Sequence, residues 1–166
     1  TAAAVAVTDA QGQPFRMAAR GGLGAVMGSK RLKAILLRRP RQRPADALTP
    51  DGQAMLVAFN KHVAGSDRIK VLREYGTAST VAMVQALGGM VVNNFSRGQH
   101  RNAEAIGGEQ LRDTILARGG MGAPTEACMR GCVIQCSNIF PNAEGQLAVA
   151  PLEFETIGLC GANLGL

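Results

Sequence analysis

Four cysteines, Cys128, Cys132, Cys136 and Cys160, lie in the last quarter of this 166-residue chain, and three of them fall within nine residues. Few local folds satisfy such a group. Disulfides between neighbours four residues apart would close strained, very small loops with little entropic gain. Reduced thiolates serving a soft metal are the better reading. In Cys128-Met129-Arg130-Gly131-Cys132-Val133-Ile134-Gln135-Cys136 the spacing of four aligns side chains on one helical face, whereas a cuboidal iron–sulfur cluster wants a wrapped loop, which Gly131 can provide. Zinc calls for a fourth Cys or His at its own close spacing, and neither His62 nor His100 stands near. Cys160 is either a distant fourth ligand or an ordinary small residue in an apolar helix start. The plain alternative for the group is three buried structural cysteines.

The rest of the chain is organised in two parts. Residues 2–8 and 14–19 read as strands joined by a Gly-containing hairpin, with small side chains that imply close contact with another layer. A glycine-rich loop with a short helix follows, and then Leu32-Lys33-Ala34-Ile35-Leu36-Leu37, which has strand composition. Residues 38–44 hold four arginines and two prolines, break regular structure and mark a boundary. Beyond it the pattern turns helical. Thr49 caps a helix that starts at Pro50, with Met55, Leu56, Phe59 and Val63 on one face. Further helices are expected over about 66–75, 79–87 and 108–116, the first two ending at Gly76 and Gly88. Residues 91–98 form a loop or short extended piece, residues 119–122 loosen the chain, and residues 142–145 make a hairpin turn. The expected class is α+β: about three strands with the glycine loop and short helix, then a mostly helical segment. The expected domains are 1–39, a linker at 40–44, and 45–166.

Composition narrows the function. The net charge of +6 suggests an anionic partner, but aromatic residues are only 4% and Trp is absent, which disfavours a base-stacking nucleic-acid module. The arginines of residues 38–43 lack a reading helix, so no nucleic-acid partner is expected. No run of about 18 apolar residues is present, so no membrane span is expected. The charged-then-apolar order of a secretory signal is missing as well, and the expected location is cytoplasmic. Both chain ends read as cut from something longer.

The loop around Gly21, Gly22 and Gly24 invites comparison with phosphate-binding loops, in which backbone N–H groups face an anion. Gly22-Leu23-Gly24-Ala25-Val26-Met27-Gly28 is one residue too long for the dinucleotide fingerprint, and Gly28-Ser29-Lys30 is not a Walker sequence. The plain alternative is a tight turn with close helix–sheet packing. Glu153 and Glu155, two apart, would face opposite ways on a strand, so at most one would enter a pocket, and solvated acids at a helix entry are the alternative. His62 and His100 make no catalytic set with a nucleophile.

Taken together, these phrases resemble the tungsten-containing aldehyde ferredoxin oxidoreductase family. Arg20-Gly21-Gly22-Leu23-Gly24-Ala25-Val26-Met27-Gly28-Ser29-Lys30-Arg31-Leu32-Lys33-Ala34-Ile35 is similar almost residue for residue to that family's R-G-G-L-G-A-V-M-G-S-K-x-L-K-A-I. Tyr75-Gly76-Thr77, Asn94-Phe95, the cysteine group, Glu153-Phe154-Glu155-Thr156 and Gly161-Ala162-Asn163-Leu164-Gly165 follow in the family's order. The resemblance covers essentially the whole chain. It implies part of a larger enzyme that oxidises aldehydes to carboxylic acids at a tungsten- or molybdenum-bis-pyranopterin and passes electrons through a [4Fe-4S] cluster to ferredoxin or a ferredoxin-like subunit. A homo-oligomer is implied for the full-length protein. By position, Arg20, Gly21, Gly22, Leu23 and Gly24 would border the pterin phosphates, Cys128, Cys132 and Cys136 would ligate three irons, and Glu153 or Glu155 would face the substrate pocket. The first cysteine gap is three residues where the family usually has two. The phrase ending in Cys160 imitates the family's downstream fourth-ligand phrase, but its neighbours align it elsewhere. A chain of these residues alone is expected to be inactive, and an iron–sulfur electron-transfer module without pterin is the competing reading.

Overall fold

A computed structural model describes residues 3–8, 12, 14–37, 48–129 and 131–166. The chain divides into two compact units, Thr1–Met55 and Leu56–Leu166. The linker expected at residues 40–44 lies outside the described residues.

In the first unit, β1 (Val5–Thr8) pairs antiparallel with β2 (Pro14–Ala18), in the register Val5 to Ala18, Ala6 to Met17 and Val7 to Arg16. The chain then makes a 3-10 turn, Arg20–Gly22, and enters α1 (Leu23–Ser29). The N–H of Gly24 donates to the carbonyl of Ala3 at 3.1 Å, and a Cβ on Gly24 would lie 2.6 Å from the backbone of Ala3 and Ala4. Only glycine admits this approach of helix to strand, which is the contact the small residues near β1 suggested. The expected third strand does not form among the described residues. Residues 32–37 have no ladder partner, and Ile35, Leu36 and Leu37 are 67%, 83% and 88% exposed. Strand composition is not enough where no neighbouring edge accepts the backbone groups.

α2 (Pro50–Gly65) begins as expected: the Thr49 hydroxyl accepts the N–H of Gly52 at 3.2 Å. Its apolar face is not covered by described residues, for no α2 side chain is buried and Phe59 is 62% exposed. In the second unit, α3 (Asp67–Tyr75) stops at Gly76, a 3-10 turn spans Gly76–Ser79, and α4 (Thr80–Ala86) ends before Gly88. Val92 and Arg97 form an isolated bridge around residues 93–96, and α5 (Gly108–Arg118) follows a 3-10 turn at Ala103–Ile106.

A three-stranded antiparallel sheet, not foreseen as strands in the sequence, then forms from β3 (Ala123–Glu126), β4 (Ser137–Pro141) and β5 (Leu147–Leu152), in the order β3-β4-β5. The expected turn at residues 142–145 joins β4 to β5, and the Asn142 side-chain oxygen accepts the N–H groups of Glu144 and Gln146. α6 (Phe154–Cys160) and a 3-10 turn at Ala162–Leu164 complete the chain. The α+β class is as expected. A core of Val81, Met90, Val92, Ala103 and Ala162 takes Val84, Ile106, Phe154 and Ile157 at its edge, so α4, the residue 92–97 bridge and α6 share one interior. α5 packs on β3, β4 and the Gly76–Ser79 turn, with Ile115 1% exposed. No helix of the described residues is long and apolar enough to cross a membrane.

Replacing Ile115 with Ala removes a fully enclosed side chain from α5, a helix that packs on this sheet. A loss of roughly 2–5 kcal/mol is expected, read as a lower urea midpoint with an unchanged slope.

Candidate iron–sulfur and carboxylate site

Three segments far apart in sequence meet at one side chain. Thr77 sits in the turn that follows α3. Its backbone N–H donates to the carbonyl of Cys136 at 3.0 Å, and its hydroxyl donates to Glu153 Oε2 at 2.7 Å while accepting the N–H of Phe154 at 2.9 Å. The other oxygen of Glu153 accepts the Ser137 hydroxyl at 2.5 Å. The carboxylate is therefore gripped on both oxygens, and one of its holders also touches the last residue of the cysteine group.

The turn reaches this place because Gly76 has φ +66 and faces a buried neighbour. Any Cβ here would run into the amide of Asn138, which is fully buried and donates from Nδ2 to the Pro124 carbonyl. The Asn138 Oδ1 has no hydrogen-bond partner among the described residues, so the fit against Gly76 is made by packing alone. Gly76, Asn138 and Ser137 thus bring the end of α3 onto the start of β4.

Between β3 and β4 the cysteine residues lie on a loop and not along a helix. Gly131 at φ +84 and Gln135 at φ +53 are both left-handed, which bends the chain around Cys132. None of the four cysteines is in a disulfide. Hydrogen bonds from the backbone N–H of Gln135 and of Ile134, and from Cys128, hold the Cys132 thiol below the ordinary range, the Gln135 bond contributing most. Burial, and after it the negative charge of Glu153, pushes the Cys136 thiol up. No three His, Cys, Asp or Glu side chains among the described residues converge as a single ion requires. A four-iron cluster makes no such demand, since each thiolate meets its own iron. Soft donors on a wrapped loop, with backbone N–H groups aimed at a sulfur, fit such a cluster.

Of the two placements the sequence allows for the candidate carboxylates, a strand or a helix entry, the structure has the helix entry. β5 ends at Leu152, Glu153 is the extended residue that caps α6 with φ −126 and ψ 163, and Glu155 lies in the first helical turn. Glu153 is half-buried and Glu155 exposed, so their difference comes from a cap and a turn and not from alternation. Cys160 is exposed and closes α6, at the helix end and not its start. His62 is in the last turn of α2, and the His100 ring contacts the Leu166 carbonyl and accepts the Asn102 N–H.

The glycine loop belongs to the first unit. Gly21 and Gly22 are left-handed at φ +81 and +72, Leu23 opens α1, and Arg20 is exposed. The amide of Gly24 is committed to Ala3, so of the five loop residues this one has no N–H to offer an anion.

The family model for the aldehyde ferredoxin oxidoreductase N-terminal domain matches residues 1–39, and that for domains 2 and 3 of the same enzymes matches residues 54–166. The chain belongs to the aldehyde ferredoxin oxidoreductase family. Among curated relatives, the tungsten-containing aldehyde ferredoxin oxidoreductase of Pyrococcus furiosus is 34% identical over 159 residues, which is 91% of this chain and 24% of that protein. The enzymes of that name from Pyrococcus horikoshii and Thermococcus kodakarensis are 36% and 34% identical over the same shares. The chain thus spans about a quarter of the length of these oxidoreductases. Within the family frame, Thr77 and Ser137 are the residues that the sequence reading gave no role. Thr77 stood inside the quoted Tyr75-Gly76-Thr77 phrase, and the signal available was its glycine, placed after a helix end and followed by a hydroxyl.

Two outcomes are expected. Gly76→Ala imposes both a left-handed alanine and a clash with the Asn138 amide, a loss of roughly 2–4 kcal/mol measurable by denaturant titration. In the reduced, metal-free chain at neutral pH, iodoacetamide labels Cys132 ahead of Cys136, because the first thiol ionises below the ordinary range and the second above it. Peptide mass spectrometry over time reads the order.

Proposed function

We propose that this chain carries one part of a tungsten- or molybdenum-bis-pyranopterin oxidoreductase that converts aldehydes to carboxylic acids and sends electrons through a [4Fe-4S] cluster to ferredoxin or a ferredoxin-like subunit. The observation that carries the reading is the meeting of the Cys136 carbonyl, Thr77 and Glu153 within hydrogen-bond distance, which sets a carboxylate beside a thiol loop suited to a cluster. When bound, the two cofactors supply the removal of two electrons from RCHO + H2O, giving RCOOH and two protons, and the onward release of the electrons one at a time.

The chain's own residues have three tasks in this reading. Cys128, Cys132 and Cys136 hold three irons, and the N–H groups of Gln135 and Ile134 stabilise the Cys132 sulfur as thiolate. Arg20 and the backbone of Gly21, Gly22 and Leu23 border the pterin phosphates, where a guanidinium and exposed amides suit oxyanions. Gly24 contributes by letting α1 approach the strand. Glu153 holds and releases protons at its carboxylate as the aldehyde hydrate is oxidised. Each of its oxygens accepts one hydroxyl, from Thr77 and from Ser137, which holds the carboxylate in a fixed orientation. The exposure of Glu155 supports Glu153 in that role. The full-length enzyme is a homo-oligomer in this reading.

Metal analysis of the anaerobically purified full-length protein tests the proposal. Iron together with tungsten or molybdenum is expected in each chain. Iron without either heavy metal would replace the pterin enzyme by an electron-transfer module. Cys128→Ser, Cys132→Ser and Cys136→Ser each lower the bound iron, and Cys160→Ser leaves it unchanged. The 166 residues alone give no aldehyde-dependent reduction of a viologen dye, measured at the dye's absorbance.

A further inference from the structure

The hydrogen bonds of Thr77 do more than close a turn. Its backbone N–H reaches the carbonyl of Cys136, one peptide bond before Ser137, and its hydroxyl both receives the Phe154 N–H and donates to Glu153. Cys136 and Glu153 are thereby linked through one residue and, independently, through the Ser137 hydroxyl next to Cys136. Both links tie the Glu153 carboxylate to the backbone at Cys136 and Ser137. We propose that Thr77 is a positioning residue that clamps the Glu153 carboxylate beside Cys136, so that its charge bears on the electron affinity of the cluster held there. This rests on the reading of residues 128–136 as cluster ligands.

The physical argument is electrostatic. Reduction adds an electron to the cluster, and a fixed negative charge nearby opposes that addition more strongly in a half-buried site than in water. A carboxylate with one more single bond of freedom would turn toward solvent, where its charge is screened. Thr77 prevents that turn from one side and Ser137 from the other. The Thr77 hydroxyl gives its one proton to Glu153 and accepts the Phe154 N–H, so it has no donor left for a reacting atom.

The experiment is a redox titration of the cluster in the anaerobically prepared full-length protein, followed by electron paramagnetic resonance. Wild type is compared with Thr77→Ser, Thr77→Val, Glu153→Gln and the Thr77→Val/Glu153→Gln double variant. Glu153→Gln raises the midpoint potential, Thr77→Val raises it part of the way, and Thr77→Ser matches wild type. In the Glu153→Gln background Thr77→Val adds no further shift, because there is no charge left to position. An unchanged potential in Thr77→Val, or a shift of equal size with and without Glu153, overturns the proposal. Should Thr77→Val fail to fold, Glu153→Asp takes its place: one methylene shorter, it keeps the charge and loses the reach, and a wild-type potential in that variant is equally fatal. A wild-type protein that carries no cluster overturns the reading of the cysteine loop, whereas a wild type with a cluster and a potential indifferent to Thr77 overturns the positioning role alone.

Discussion

The Thr77 hydroxyl, with one hydrogen bond given to a carboxylate and one received from a backbone amide, is the contact on which the second unit's site depends. A bond to an ionised group contributes roughly 1.5–3 kcal/mol, about twice a neutral one, and a half-buried carboxylate left with an empty oxygen loses that and gains a desolvation cost. Around this point three chain segments hold their places: the turn after α3, the start of β4, and the cap of α6. Each is short, and no periodic pattern would bring them together. Their geometry is set by particular groups, with Gly76 yielding space to Asn138 and Ser137 closing the second oxygen of Glu153.

The same neighbourhood separates its thiols. Cys132 is bathed in backbone N–H donors and ionises easily, while Cys136 is drawn into the fold behind a carboxylate and resists ionisation. These are opposite solutions to one task. In the proposed cluster site, Cys136 would give up a proton held more firmly, at a residue whose own carbonyl the Thr77 N–H fixes. Cys132 is prepared chemically, and Cys136 is prepared geometrically. The loop accomplishes both because Gly131 and Gln135 take left-handed conformations that a helix would not allow.

How much of this was legible in the sequence differs from residue to residue. Helix starts and stops were, because Thr49, Gly76 and Gly88 act through local backbone chemistry that a few residues suffice to specify. The turn at residues 142–145 was legible for the same reason, and it implied two flanking strands that the reading did not draw. β3 and β4 were hidden because Ala-Pro-Thr-Glu and Ser-Asn-Ile-Phe-Pro have neither alternation nor length, and their pairing is settled by α5 and the buried Asn138. That the cysteines of residues 128–136 form no disulfides was legible from spacing alone. The rank of Glu153 over Glu155 was not, since it turns on partners 76 and 16 residues away in sequence. The third strand at residues 32–37 shows the reverse failure, a local preference with no edge to satisfy it.

That failure and the bare face of α2 have one physical origin. Leu36, Leu37, Met55 and Phe59 follow patterns that mean burial, and yet they stand 62–88% exposed. A pattern of apolar positions records the surface against which a segment was selected to lie, whether or not that surface is among the described residues. The covered core of the second unit, built on Val81, Met90 and Val92, obeys its pattern because α4, α6 and the residue 92–97 bridge supply one another's cover. Residues 32–37 and α2 have no such reciprocal partner among the described residues. The relatives whose sequences the chain matches are about four times as long, since it spans 24% of them. In the proposed enzyme the remaining chain is what these apolar positions are matched to, just as the cofactor-facing residues of both units are matched to groups that neither unit holds by itself. In the proposed enzyme, the exposed apolar pattern and three thiols at a four-iron site call for the same larger assembly by independent routes, one through solvation and the other through coordination.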